Sequence, residues 1–253
     1  MDFQNKTVTI TFGDQAENHK GMQIIGKAAE KGFTYDDLMK SKDYFEKKGV
    51  KCEMFHLNSA LPENVKCDDA YLLVIRDFFT EEESRELYEE QMGLEYDSKA
   101  YMYGRVVNKH ARHNLCFAEY SQEPDYEKGM GRIINYKDVP KLESLHNKLG
   151  TFIEGGSDLA GEGNYYYDVR KCGIGFHGDS ERCKVFALRL GTSLPIHYQW
   201  FYEGKPVGKR IIVPLHHGNM YIMSQKTVGQ DWKKKKSYTL RHATGCDKFT
   251  TIS

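Results

Sequence analysis

The chain has 253 residues, with Lys plus Arg and Asp plus Glu each counting 36, so its formal charge is zero at neutral pH. Hydrophobic residues make up 40% and charged residues 28%, which excludes a disordered or fibrous chain and leaves room for a substantial core. No apolar stretch reaches the roughly 20 residues that a membrane span needs, and the first residues, MDFQNKTVTITFGD, lack the pattern of a leader, so an intracellular monomer with no membrane contact is expected. The six cysteines contain no Cys-x-x-Cys pair; free thiols are expected and a zinc ribbon is excluded.

In chain order, TVTITF (7–12) reads as a strand, GMQIIGKAAEKG (21–32) as a helix, and 35–48 as a second helix stopped at Gly49. CEMFHLN is another strand and SALPENVKCDD a polar connector. Residues 1–66 therefore read as a small α/β appendage, and residues 67–253 as a separate domain. That domain opens with the buried strand AYLLVI and a capping box, Thr80 with Glu83, at the head of an acidic helix. Val139, Leu142, Leu145, Leu149 and Phe152 recur at helical spacing. From Asn164 onward NYYYDV, CKVFALRLG, PIHYQWFY, RIIVPL, NMYIMS, YTLRHA and KFTTI read as short strands of a barrel or sandwich, giving an α+β protein.

Gly21, Gly26 and Lys27 fit the spacing of a phosphate loop, but Ala28 stands where a metal-binding hydroxyl is required, so that motif is set aside. The polar run GDQAENH (13–19) reads as a turn between a strand and a helix. His177-Gly178-Asp179 offers more. An imidazole and a carboxylate two residues apart on a strand face the same side and can take adjacent positions on one ion. A second histidine from a distant strand would complete a facial triad, and His197, His216, His217 and His242 follow in the chain.

Several pieces from about Ala70 to the end resemble the AlkB-like branch of the Fe(II) and 2-oxoglutarate-dependent dioxygenases. YLLVIRDFFTEEESRELYEEQ resembles that family's first strand and acidic helix, RHNLCFAE (112–119) its nucleotide-lid signature, and NYYYDVRKCGIGFHGD its Asn-x-Tyr-x-Asp and Ile-Gly-x-His-x-Asp motifs. Ala111 and Ala118 depart from the Pro and Gly usual in the lid. The resemblance implies a double-stranded β-helix (jelly-roll) catalytic domain with buttressing helices. It further implies Fe(II) on His177 and Asp179, with Asn164 and Tyr166 binding the 2-oxoglutarate. His242, in YTLRHATG, holds the serial position of the distal ligand.

The family's Arg for the far carboxylate of 2-oxoglutarate lies well beyond that histidine, yet only eleven residues remain. With a three-residue turn at Thr244-Gly245-Cys246, Lys248 faces the same way as His242 and becomes the leading substitute; Arg189 is the reserve. The implied activity uses O2 to decarboxylate 2-oxoglutarate to succinate and hydroxylate a substrate C–H bond, with N-alkylated nucleic-acid bases the leading substrate. Tyr103, Arg112 and Phe117 are the expected substrate contacts, basic and aromatic groups interleaved as a nucleic-acid lid requires. A protein or small-molecule hydroxylase, or a metal-free nucleic-acid-binding module, is the alternative.

Overall fold

The seven residues Thr7–Gly13 form strand β1, and their alternation organises the molecule. Val8, Ile10 and Phe12 are fully buried on one face of it, while Thr9 and Thr11 line a cavity on the other. In the computed structural model, which describes residues 2–252, β1 is followed by β2 (Gln15–Glu17), β3 (Ile24–Gly26), α1 (Tyr35–Glu46), β4 (Cys52–His56), β5 (Tyr71–Ile75), α2 (Glu81–Met92), β6 (Lys99–Met102), β7 (Arg105–Asn108), β8 (His113–Ala118) and β9 (Ile133–Asn135). The second half contains α3 (Pro140–His146), α4 (Leu149–Phe152), β10 (Ala160–Tyr166), β11 (Gly173–His177), β12 (Val185–Gly191), β13 (Ile196–Tyr202), β14 (Lys205–Val213), β15 (Met220–Met223), α5 (Gln225–Val228), β16 (Thr239–Gly245) and α6 (Asp247–Thr250). The protein is thus α+β and rich in strands.

Eight strands form a large sheet in the order β4-β5-β15-β12-β1-β10-β8-β9, and β11-β16-β13-β14 form a smaller one. Helices α1 to α4 cover one face of the large sheet. There Leu38, Phe45, Leu87, Leu142, Leu145 and Leu149 meet the inward side chains of β1, β5, β12 and β15. On the opposite face Leu72, Val74, Val185 and Ala187 pack against Ile196, Tyr198, Trp200 and Leu240 of the small sheet. This three-layer arrangement places two apolar cores on either side of one sheet. From β10 onward the chain alternates between the sheets: β10 large, β11 small, β12 large, β13 and β14 small, β15 large, β16 small. β1 then fills the gap between β10 and β12, antiparallel to both.

That placement corrects the expected boundary at residue 66. β1 lies inside the large sheet, and β4 pairs with β5 through five register partners from Cys52↔Ile75 to His56↔Tyr71. Residues 1–66 therefore supply strands to the same sheet as the rest and are no appendage. The expected helix at 21–32 is instead β3 and the chain around it, and β3 forms a hairpin with β2 in which Gln15 pairs with Gly26. Gly21 and Gly26 both take φ of +85°, a region that glycine enters without strain. KFTTI, read as a strand, instead contributes Lys248–Thr250 to α6, and the helical stripe from Val139 to Phe152 is divided into α3 and α4. The capping box of α2 is present in both directions, with the Glu83 amide donating to Thr80 Oγ1 and the Thr80 amide to the Glu83 carboxylate. All six cysteines are unpaired, and no described helix is long and apolar enough to cross a membrane.

Candidate functional site

A cavity of about 530 Å³ opens between the two sheets. β11 and β16 bring His177 and His242 into direct register, so both imidazoles enter the cavity from neighbouring strands, with ring centres 4.4 Å apart. Asp179 lies just past the end of β11, in a turn fixed by donation from its amide to the Val228 carbonyl at 3.1 Å. Its Oδ1 stands 3.4 Å from His177 Nε2 and 3.5 Å from His242 Nε2. Potential ligand atoms of all three residues lie within 4.8 Å of one another. Adjacent donors on an octahedral ion with bonds of about 2.1 Å stand roughly 3 Å apart, so small inward movements seat an ion here.

The electrostatics suit a cation. Burial alone would raise the Asp179 carboxyl, but the Arg182 guanidinium and the two facing imidazoles together hold it well below the usual carboxylate range. Burial, reinforced by the neighbouring His177, pushes His242 down, favouring the neutral imidazole that binds metal. His177 Nδ1 lies 2.8 Å from the Gly175 carbonyl; as the donor, it leaves Nε2 free to face Asp179. Behind Asp179, Arg182 is buried and bonds to Glu162 and Glu181, with its Nε 3.5 Å from Asp179 Oδ2. One carboxylate oxygen thus faces the imidazoles while the other faces the guanidinium.

On the opposite wall of the cavity stands Arg189, 1% exposed, on β12. Nη1 donates to Thr9 Oγ1 at 2.5 Å, Nε has no partner, and no carboxylate pairs with it among the described residues. A buried guanidinium without a counter-ion is costly, so its presence in the cavity wall points to an anionic ligand. Tyr166 and Tyr221 stand beside it in the lining, and burial raises the Tyr221 phenol to about 12, keeping it a neutral donor. Asn164 also lines the cavity, but its amide is already engaged: Oδ1 accepts from Arg112 Nε and Asn114 Nδ2, and Nδ2 donates to Glu162.

Three expected contacts lie elsewhere. Lys248 falls in α6, because the chain leaves β16 into a helical turn instead of a hairpin; its Nζ lies over its neighbour Phe249, outside the cavity lining. Phe117 shares the face of β8 occupied by Leu115 and is fully buried against the helix layer. Tyr103, 91% exposed, forms the turn between β6 and β7 and does not reach the cavity. Arg112 does line it. Sequence reading missed Thr9 and Thr11 of β1, Glu162 and Arg182 behind the triad, and Glu17, Asn18 and His19 of the β2–β3 hairpin, all of which line the same cavity. The polarity of GDQAENH was the available signal for the last three.

The fold and cavity define a two-sheet α+β protein with a candidate two-histidine, one-carboxylate metal centre. No family model matches the chain. Over 248 residues, 96% of this chain and 97% of the relative, it is 51% identical to a protein of Acanthamoeba polyphaga mimivirus described as "Uncharacterized protein R156". The chain belongs to the family of that viral protein.

Proposed function

We propose that the chain is an Fe(II) and 2-oxoglutarate-dependent dioxygenase on a double-stranded β-helix, acting on N-alkylated nucleic-acid bases. The alternation of β10 to β16 between two sheets, completed by β1 between β10 and β12, supports the β-helix reading. The observation that carries the enzymatic reading is the pairing, in one cavity, of the His177-Asp179-His242 cluster with the uncompensated Arg189 guanidinium. Such a cavity suits a metal-chelating acid that also bears a distant carboxylate, which is the chemical description of 2-oxoglutarate.

When bound, iron in a facial triad supplies open coordination positions for the co-substrate and dioxygen. The chain's own residues do the rest. His177 and His242 present neutral imidazole nitrogens, and Asp179 presents one carboxylate oxygen while Arg182 restrains the other. Arg189 and Thr9 receive the far carboxylate, and Tyr166 and Tyr221 exclude water around it. Arg112, Lys20 and Lys233, also in the lining, offer cations to an anionic substrate. The burial of Phe117 away from the cavity favours the second reading, hydroxylation of a protein or small molecule. Succinate release is the test, after anaerobic loading with Fe(II) and exposure to 2-oxoglutarate, O2 and a panel of methylated oligonucleotides, peptides and amino acids. Iron-dependent succinate stimulated by an oligonucleotide and lost in Asp179→Ala is expected. A wild-type protein that takes up no iron would refute the dioxygenase reading, and stimulation by a peptide or amino acid alone would move the substrate to the second.

A further inference from the structure

The outer face of the small sheet and its exposed edge strand β14 have a charge pattern that the neutral composition does not anticipate. Lys205, Lys209 and Arg210 on β14, the run Lys233 to Lys236, and Arg241 on β16 are accompanied by no acid within β14, within β16 or between residues 232 and 236. Among the described residues none of these cations has a carboxylate within ion-pair distance, whereas nearby Lys226 pairs with Asp231 and Lys141, on the helix side, with Glu86. The nearest acids, Glu203 in the β13–β14 turn, whose amide donates to the Lys235 carbonyl at 3.0 Å, and Asp231, held by Lys226, pair with none of them, so cations are in local excess in a protein of formal charge zero. Three of the cations also stack on rings: Arg210 over Phe176, Arg241 over Phe201 and Trp232, and Lys233 over Trp232.

This surface leads to the cavity. Trp232 and Lys233 line the cavity itself, and Trp232 Nε1 donates to Ser180 Oγ at 2.9 Å, one residue past Asp179. Gly178 lies so close against the Gly229 carbonyl that no side chain fits between them, which ties the basic loop to the turn carrying Asp179. We infer that single-stranded nucleic acid binds across the outer face of the small sheet and the 232–236 loop. Its phosphates meet the unpaired cations, and an unstacked base is set against Trp232 at the cavity mouth. Phosphates require cations not already held in ion pairs, and bases require aromatic faces, and both are here together. A duplex fits less well, because its bases are already stacked and none can enter between the sheets without being extruded. A lipid surface fits less well too, since Ile212 is the one large hydrophobic residue substantially exposed on β14, and none is so exposed on β11, β13 or β16.

This inference rests on the proposed function only for its substrate class, and its test separates the two. Fluorescence anisotropy with a labelled mixed-sequence single strand should show binding that weakens steeply as salt rises. Lys234→Glu/Lys235→Glu/Lys236→Glu and Lys209→Glu/Arg210→Glu should each weaken it at least tenfold and flatten the log–log salt slope by roughly 0.7 for each phosphate no longer neutralised. The control Lys47→Glu/Lys48→Glu, on the far side of the large sheet, should bind within twofold of wild type. His177→Ala should also bind as wild type, since the strip does not need the metal cluster. Binding absent from the wild type, equally reduced in the control, or replaced by preference for anionic vesicles or an acidic peptide would overturn the inference. Binding as expected without any succinate release would leave the strip standing and refute the oxygenase instead.

Discussion

Arg189 separates two roles that a buried cation can have. If it serves only the fold, replacing it with an apolar side chain of similar length is destabilising through loss of the Thr9 hydrogen bond. If it awaits an anionic ligand, the ligand-free protein bears the cost of burying it unpaired, and removing the charge is neutral or stabilising. Arg189→Met is therefore expected to leave the Tm of the ligand-free protein equal or higher. It should weaken 2-oxoglutarate at least thirtyfold by calorimetry on the metal-loaded protein, since losing one partner of a buried charge pair costs about 2–5 kcal/mol. Lys248→Met should leave that affinity within twofold. An unchanged affinity in Arg189→Met, or a lowered Tm, would assign the arginine to the fold alone. The convergence of His177, Asp179 and His242 was legible in the sequence, because residues two apart on a strand face one side and the serial position of YTLRHATG singled out His242 among the later histidines. Lys248 was not, because its facing depends on whether β16 ends in a hairpin or a helix, and no residue type between Thr244 and Cys246 decides this. Phe117 was legible in principle: the alternation in HNLCFA puts it with Leu115, on the apolar face of β8.

At the scale of elements, strands with clear apolar, β-branched or aromatic runs, β1, β5, β12, β13 and β16, formed where expected, as did the capped helices α1 and α2. Failures cluster where glycine conformation or long-range pairing decides. The segment 21–32 has apolar residues compatible with a helix, but Gly21 and Gly26 at positive φ close a hairpin that packs over the cavity. The partition at residue 66 failed because strand pairing between β1 and strands about 150 or more residues away leaves no mark in local sequence. Its consequence is testable. Val8, Ile10 and Phe12 are each fully buried, and each contributes roughly 1.5–3 kcal/mol by burial. Together these rival the whole stability of a typical domain, about 5–15 kcal/mol. A chain beginning near Val65 would also leave β10 and β12 without the strand between them and expose two unpaired edges. It is expected to be insoluble or to lack a cooperative melt by circular dichroism. A soluble, cooperatively folded product that still binds metal would show that the sheet closes without β1.

For the whole molecule, the buried and half-buried imidazoles set a common dependence on pH. His19, His113, His197, His217 and His242 are all pushed below the ordinary histidine value, in each case first by burial. A group whose folded value is lowered binds its proton more readily in the unfolded chain. As pH falls through the unfolded value of about 6.5, the unfolded state gains protons that the folded state does not, and stability declines. Asp179, also lowered, acts in the same direction but nearer the carboxylate range. Glu17, Glu90 and Glu181 are raised by burial and act oppositely, since the folded state binds their protons more readily; their offset begins as pH approaches that range from above. Between about pH 7.5 and 5.5 the five histidines outnumber the three glutamates and titrate first. The Tm of the metal-free protein is therefore expected to fall steadily across that interval when ionic strength is held fixed. A bound metal should raise the Tm throughout and raise it less as the pH falls, because His177 and His242 must be unprotonated to bind it. A metal-free Tm that stays flat or rises on acidification would show that the raised glutamates outweigh the histidines. A metal-induced gain that does not shrink would place the bound ion away from His177 and His242.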